Sequence, residues 1–250
     1  MGRIFLLGGH DLEMQEIRNL LISHSERFAD ADLNWSNACL SAYASTISTE
    51  PDSDYFGIEL QEDCPQPKHY TRIDHHNDYS NRPAAILQVA QLLEVEPNRH
   101  LQLVAANDAG YIPAMQALNA SEEEIAEIRR QDRAAQGVTK EDEQLAELSI
   151  SEHLTRYDGL YIVNAQTSKF SSICDRLYPY QRLLIYTDDE WTYYGEGKLD
   201  MVAMLKKDIY YNKVYHGGGE NGYVGAAKGA FTTEQILDFV TLITQKYERN

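Results

Sequence analysis

Arg72-Ile73-Asp74-His75-His76-Asn77 ends a short strand-like segment, Tyr70 to Ile73, in one carboxylate and two imidazoles. A strand in a sheet fixes the position of whatever follows its last residue, and in open α/β sheets ligands bind beyond the carboxyl ends of the strands. Two histidines beside an aspartate at such a place form a catalytic-metal signature. Reading outward, Ile4-Leu7 is a buried first strand closed by Gly8-Gly9, and Tyr55-Leu60 is a further strand by its aromatic and β-branched content. Helical spacing of Leu12, Ile17, Leu20 and Leu21 predicts a helix over 12–23. Further helices are predicted over 35–44, over 83–95 with Pro83 in its first turn, and over 100–107. Strands alternating with helices predict an α/β fold: a mostly parallel sheet with helices on both faces.

Two capping boxes follow, Ser121-x-x-Glu124 and Thr139-x-x-Asp142, opening helices to about Ala135 and His153. They read as the end of a first domain, 1–154. From Asp158 the rhythm restarts with a strand over 160–163, a helix over 171–178, and a hairpin of 183–186 with 192–194 across Asp188-Asp189-Glu190. A helix over 199–209, a strand over 222–227 behind a glycine loop, and a final amphipathic helix to Tyr247 complete a second, smaller α/β domain, 155–250.

The chain has 250 residues, 43% hydrophobic and 24% charged, enough to bury a core in each of two domains. Its formal net charge of −17 disfavours non-specific binding to long nucleic acid, which depends on cations neutralising many phosphates, so no long duplex partner is expected. A small phosphorylated substrate escapes that objection. Cys39, Cys64 and Cys174 are odd in number and far apart, so they imply neither a disulfide framework nor a zinc ribbon. Ile4-Leu7 is too short for a signal or membrane segment, so the expectation is a cytoplasmic protein that makes no membrane contact.

Around the central motif stand further ligand-type residues: His10 after the first strand, Glu13 and Glu16 three residues apart on the next helix, Glu59 within the second strand, and Asp108 in Asn107-Asp108-Ala109-Gly110. A charge inside an apolar strand is seldom buried unless it is paired or metal-bound. Each also has an ordinary use: edge or capping roles for His10 and Glu59, and turn capping for Asp74. The arginines of Arg129-Arg130-x-Asp132-Arg133 read as surface ion pairs with neighbouring acids.

Asp74-His75-His76, a histidine after the first strand and the downstream Asp108 together resemble the DHH phosphoesterase superfamily. His216-Gly217-Gly218-Gly219-Glu220-Asn221-Gly222 resembles the glycine-rich substrate loop of the accessory domain that follows many DHH domains, so the resemblance spans nearly the whole chain. It implies a catalytic domain in 1–154 and a substrate-binding domain in 155–250. It implies His75 and Asp108 as metal ligands, with Glu59 where the superfamily has a bridging aspartate and His10 and Glu16 completing the set. Asp74 would orient the metal site and His76 would contact the substrate phosphate. The first motif departs from the pattern: aspartates are expected four and six residues after the histidine, where Met14 and Glu16 stand, so Glu16 can still serve the ion held by His75 and Asp108 while a second ion lacks a ligand unless Asp11 or Glu13 substitutes. Glu220 stands where the glycine loop usually has histidine, with His216 just upstream.

The implied activity is metal-dependent hydrolysis of a small phosphate ester, such as a short oligonucleotide or cyclic dinucleotide, by metal-activated water. The cofactor is one or two divalent ions, Mn first and Mg or Zn next. Arg82, Lys228 and the loop residues His216, Gly217, Gly218 and Gly219 are the candidate substrate contacts, with substrate expected between the two halves of the chain and a homodimer as the expected assembly. The alternative is a catalytically impaired DHH-fold protein that binds a nucleotide or metal as a sensor, for which Met14 is the best support.

Overall fold

Alternation along a strand sends neighbouring side chains to opposite faces, and the first apolar run follows it. In the computed structural model, which describes residues 2–35, 37–218 and 221–248, this run is β1 (Arg3–Leu6). Ile4 and Leu6 enter one buried cluster with Leu33, Leu40, Tyr43 and Tyr55, while Phe5 stacks on Phe56 with ring centroids 5.0 Å apart. After β1 come α1 (Leu12–Ser23), β2 (Arg27–Ala29), α2 (Ala44–Thr49), β3 (Asp54–Ile58), β4 (Tyr70–Ile73), α3 (Ala85–Leu92), α4 (Arg99–Ala117) and α5 (Glu122–Ala135). The four strands lie in the order β2-β1-β3-β4, all parallel, and helices flank the sheet.

Two details differ from the sequence reading. β2 is absent from the sequence reading, and where a helix over 35–44 is expected, residues 37–39 are irregular and lead into a one-turn 3₁₀ helix at 40–43. Leu33, Ala38, Leu40 and Tyr43 nevertheless enter the core, and the Tyr43 hydroxyl donates to the Leu7 carbonyl. Apolar side chains thus recur there without helical backbone.

The chain separates into two compact units, 1–137 and 138–250. The boundary falls before α6 (Lys140–His153), earlier than the expected 154/155. The partners of α6 account for this: Asp142 accepts from the Thr167 hydroxyl, Ser149 accepts from Gln166 N–H, and Arg176 pairs with Glu143 and Glu147, all within the second unit. That unit continues with β5 (Leu154–Tyr157), β6 (Leu160–Asn164), α7 (Ser171–Leu177), β7 (Arg182–Tyr186), β8 (Trp191–Gly195), α8 (Lys198–Met204), α9 (Lys206–Tyr210), β9 (Val214–Gly217), β10 (Tyr223–Ala226) and α10 (Thr233–Glu248). Its six strands run β5-β6-β7-β8-β10-β9, parallel only between β6 and β7. Alternate residues of β7 face opposite clusters: Leu183 and Ile185 meet Ala146 and Ile173, while Leu184 meets Trp191, Met201 and Ile243. Among the described residues no helix is long and apolar enough to cross a membrane.

β1 ends against β3 with almost no clearance. A Cβ on Gly8 would lie 2.3 Å from the Ile58 carbonyl oxygen and 2.8 Å from that of Glu59, both backbone atoms that cannot swing aside. Gly8→Ala should therefore cost about 1–3 kcal/mol in urea unfolding, the usual range for overpacking; an unchanged midpoint would refute the close approach.

Candidate metal centre

In the strand order β2-β1-β3-β4 the chain leaves β1 for one neighbour and later returns on the other side, so the topological switch lies between β1 and β3. Ligand crevices form at such points, outside the carboxyl ends. Three segments deliver side chains there: the turn from β1 into α1, the residue after β3, and the Asp74-His75-His76 turn after β4. Asp11 is the N-cap of α1, its carboxylate accepting from Met14 N–H, which directs the helix start toward the crevice. Glu59 lies just past β3 instead of inside it, at φ 51°, with its N–H donating to Ile73 O. Asp74 accepts from His76 N–H at 2.9 Å and so shapes the turn that presents both histidines.

The fourth segment is a broken helix. α4 loses helical backbone at Gly110 and Tyr111, just ahead of Pro113, whose ring and missing N–H disfavour a continuous helix. Asp108 stands directly upstream of the break. Tyr111 has φ 58°, and with Glu59 and Asn77 (φ 50°) it places left-handed non-glycine backbone at or near three of the ligand-type residues. Such residues cost roughly 1–3 kcal/mol each and persist only where the surroundings enforce them.

These segments bring Glu59, His75, His76 and Asp108 together, one ligand atom from each lying within 4.8 Å of all the others. His75 Nε2 is 2.6 Å from Asp108 Oδ2, 3.2 Å from Glu59 Oε1 and 3.5 Å from Glu13 Oε2. His76 Nε2 is 3.4 Å from Glu59 Oε1 and 3.9 Å from Asp108 Oδ2. Close as they are, the buried atoms Glu13 Oε2, both Glu59 oxygens, His75 Nε2 and Asp108 Oδ2 form no hydrogen bond of acceptable geometry. Buried polar atoms are normally satisfied, so several orphans aimed at one another call for an ion at their focus. Carboxylate oxygens with imidazole nitrogens suit Mn, Fe, Zn or Mg. The residues present fit a divalent cation.

Electrostatics agree. Burial, then the Asp108 and Glu59 charges, push the Asp11 carboxyl well above the ordinary carboxylate range; burial and Asp108 do the same to Glu13, and burial raises Asp108. Burial also opposes ionisation of Glu59, but the imidazoles of His75 and His76 outweigh it and hold that carboxyl at about 2. For His75 burial acts downward, and the Asp108, Glu13 and Glu59 carboxylates overcome it to push the imidazole up to about 12. His76 is raised chiefly by Glu59. Without an ion, the imidazoles must serve as cations for an excess of acids.

The structure does not gather every expected ligand. His10 lies outside the four-residue group, half exposed and 3.5 Å from Asp32. Glu16 faces His100 at 3.5 Å. One turn earlier Glu13, 2% exposed, reaches His75 with one oxygen while the other accepts from Ile86 N–H. Its spacing to Ile17 and Leu21 puts it on the apolar face of α1, a signal the sequence did carry. Met14 is buried among apolar residues. Arg82 stacks on Tyr79 at 4.3 Å, its guanidinium also near the Arg72 carbonyl. In the second unit, Lys228 is exposed beside Ser168 and Asp189, and His216 lies on β9 opposite Val224. The glycines there serve a tight β9–β10 connection: Gly218 has φ 72°, and a Cβ on Gly222 would lie 2.0 Å from Gly217 O. Gly219 and Glu220 lie outside the described residues.

Arg129 and Asp132 correct the surface reading of their cluster. Both are buried, on the same face of α5 as Ile128 and Ala135. Arg129 donates to Asp132 at 2.6 Å and to Asn107 Oδ1 at 2.8 Å, and its guanidinium lies 4.6 Å over the Tyr111 ring. Asp132 also accepts from Leu12 N–H at 3.4 Å and from Gln136. One ion pair thus anchors both the start of α1 and the break in α4 that carries Asp108.

No family profile matches the sequence, and no curated protein matches it. Among solved structures, the PF0399 DHH domain, described as a member of the s1p family of ribosomal proteins, superposes with a TM-score of 0.55 at 12% identity, covering 99% of this chain and 87% of that one. The chain therefore shares the fold of that DHH domain. Also similar are the pGpG-specific phosphodiesterase PggH from Vibrio cholerae (TM-score 0.47, 11% identity, 99% of this chain and 98% of that) and RecJ in complex with Mn2+ from Thermus thermophilus (0.47, 9%, 99% and 52%).

Removing only one member of the Arg129–Asp132 pair leaves a lone buried charge. Arg129→Met should destabilise by about 3–5 kcal/mol in urea unfolding, while the Arg129→Met/Asp132→Leu double variant should recover part of that loss. A double variant no better than the single would show that the pair contributes nothing as a pair.

Proposed function

We propose that the protein is a metal-dependent phosphoesterase acting on a small phosphate ester. The observation that carries this reading is the convergence of Glu59, His75, His76 and Asp108 ligand atoms within 4.8 Å at the sheet's switch point. When bound there, a divalent ion would supply Lewis acidity at phosphoryl oxygens and a water of lowered pKa as nucleophile. Glu59, His75 and Asp108 would hold it, with Glu13 as the nearby fourth acid. This set suits one ion; His10 and Glu16 lie outside it, and apolar Met14 cannot supply the ligand a second ion would need. Mn is favoured by the mixture of imidazole and carboxylate donors.

His76 has a different task. Its side chain is 41% exposed against 4% for His75, so it can meet a substrate. Glu59 beside it favours the imidazolium, which can donate a proton to a phosphoryl or leaving oxygen. Asp74 holds the turn that aims it. The acidic surface favours small substrates over long nucleic acid.

The test is metal-stripped protein assayed with Mn, Mg or Zn against short oligonucleotides, cyclic dinucleotides, pyrophosphate and a chromogenic diester. Hydrolysis of at least one substrate should require added metal, and Asp108→Asn should lower kcat/KM by about 100-fold or more with an unchanged circular dichroism spectrum. Equal activity from Asp108→Asn would defeat the mechanism. The departure of the first motif supports a second reading, a sensor: it would show ligand- and metal-dependent thermal stabilisation with no turnover.

A further inference from the structure

The buried ligand group meets solvent on the His76 side, and against His76 lies Trp35. The two rings meet edge to face, with centroids 6.0 Å apart and planes at 83°. The indole packs on the backbone of the loop that leads into Asp11: a Cβ on Gly9 would fall 2.5 Å from Trp35 Cε2, Cζ2 and Cη2. Glycine is thus what allows the ring to lie there. Yet Trp35 remains 49% exposed, whereas the chain's other tryptophan, Trp191, is 1% exposed. Internal packing does not explain a large ring seated this closely and then left half in water.

Resting on the phosphoesterase reading above, we propose that Trp35 is the stacking platform for a nucleobase whose phosphate is held at the Glu59–His75–Asp108 group, so that the substrate is a nucleotide. A ring held by backbone contact and a neighbouring imidazole keeps little freedom to lose on binding, which favours stacking. Charge points the same way. A chain of net charge −17 attracts no anion at long range, so a small phosphate ester needs a contact that is not electrostatic, and an aromatic face supplies one to any base.

The two tryptophans make this measurable without catalysis. Protein loaded with Mg2+ is titrated with 5′-AMP and with ribose 5-phosphate while tryptophan emission and binding heat are followed. AMP should quench emission saturably and ribose 5-phosphate should not. Trp35→Ala should raise the Kd for AMP about tenfold, as expected for loss of one base–aromatic stack, and change that for ribose 5-phosphate less than about twofold. Trp35→Phe should retain most of the AMP affinity, which separates lost stacking from misfolding. AMP and ribose 5-phosphate binding the wild type equally, or Trp35→Ala leaving their affinity ratio unchanged, would overturn the platform while leaving the metal reading intact. A Trp35-dependent AMP response that ignores both Mg2+ and Asp108→Asn would support the aromatic contact but sink the phosphoesterase reading on which its placement rests.

Discussion

Acids held away from water repel one another, and this chain collects the buried Asp11, Glu13 and Glu59 and the partly buried Asp108 at one end of a parallel sheet. The repulsion is met by two imidazoles and, on our reading, by a divalent cation. This balance accompanies left-handed backbone at Glu59 and a break in α4 just past Asp108, and it accounts for polar atoms that sit at close range without bonding. A core built for stability alone would have none of these features, since each costs free energy that apolar packing would not.

Much of the architecture was legible because its cause was local. Ile4-Leu7 ending in Gly8-Gly9, the Tyr70-Ile73 strand and the two capping boxes each carry their signal within a few residues, and both boxes are present in the structure with reciprocal hydrogen bonds. β2 escaped notice because Arg27-Phe28-Ala29 is too short to show alternation. Residues 38–43 mimic a helix because Ala38, Leu40 and Tyr43 are spent on filling the core cluster with Ile4 and Leu6. The unit boundary was misplaced because hydrogen bonds between α6 and residues 166 and 167 join partners distant in sequence.

The site divides in the same way. His75, His76, Glu59 and Asp108 could be singled out as ligand-type residues near strand or helix ends, and the structure gathers those four. Which acid of α1 joins them depends on helix rotation: Glu13 shares the buried face with Ile17, whereas Glu16 turns to His100. Spacing motifs carried over from a resemblance ignore that rotation; apolar periodicity would have chosen Glu13. The Arg129–Asp132 pair was hidden because a charged string reads as solvated until the face bearing Ile128 and Ala135 is traced.

That pair also shapes how this protein can diverge. Asp132 holds Leu12, Arg129 holds Asn107, and each holds the other, so three separate stretches of chain share a single salt link. Replacing it one residue at a time passes through a form with an uncompensated interior charge, a fitness valley that drift seldom crosses. Descendants of this chain should accordingly keep both partners or exchange both, and positions 129 and 132 should covary far more tightly than their distance from any ligand-type side chain would suggest.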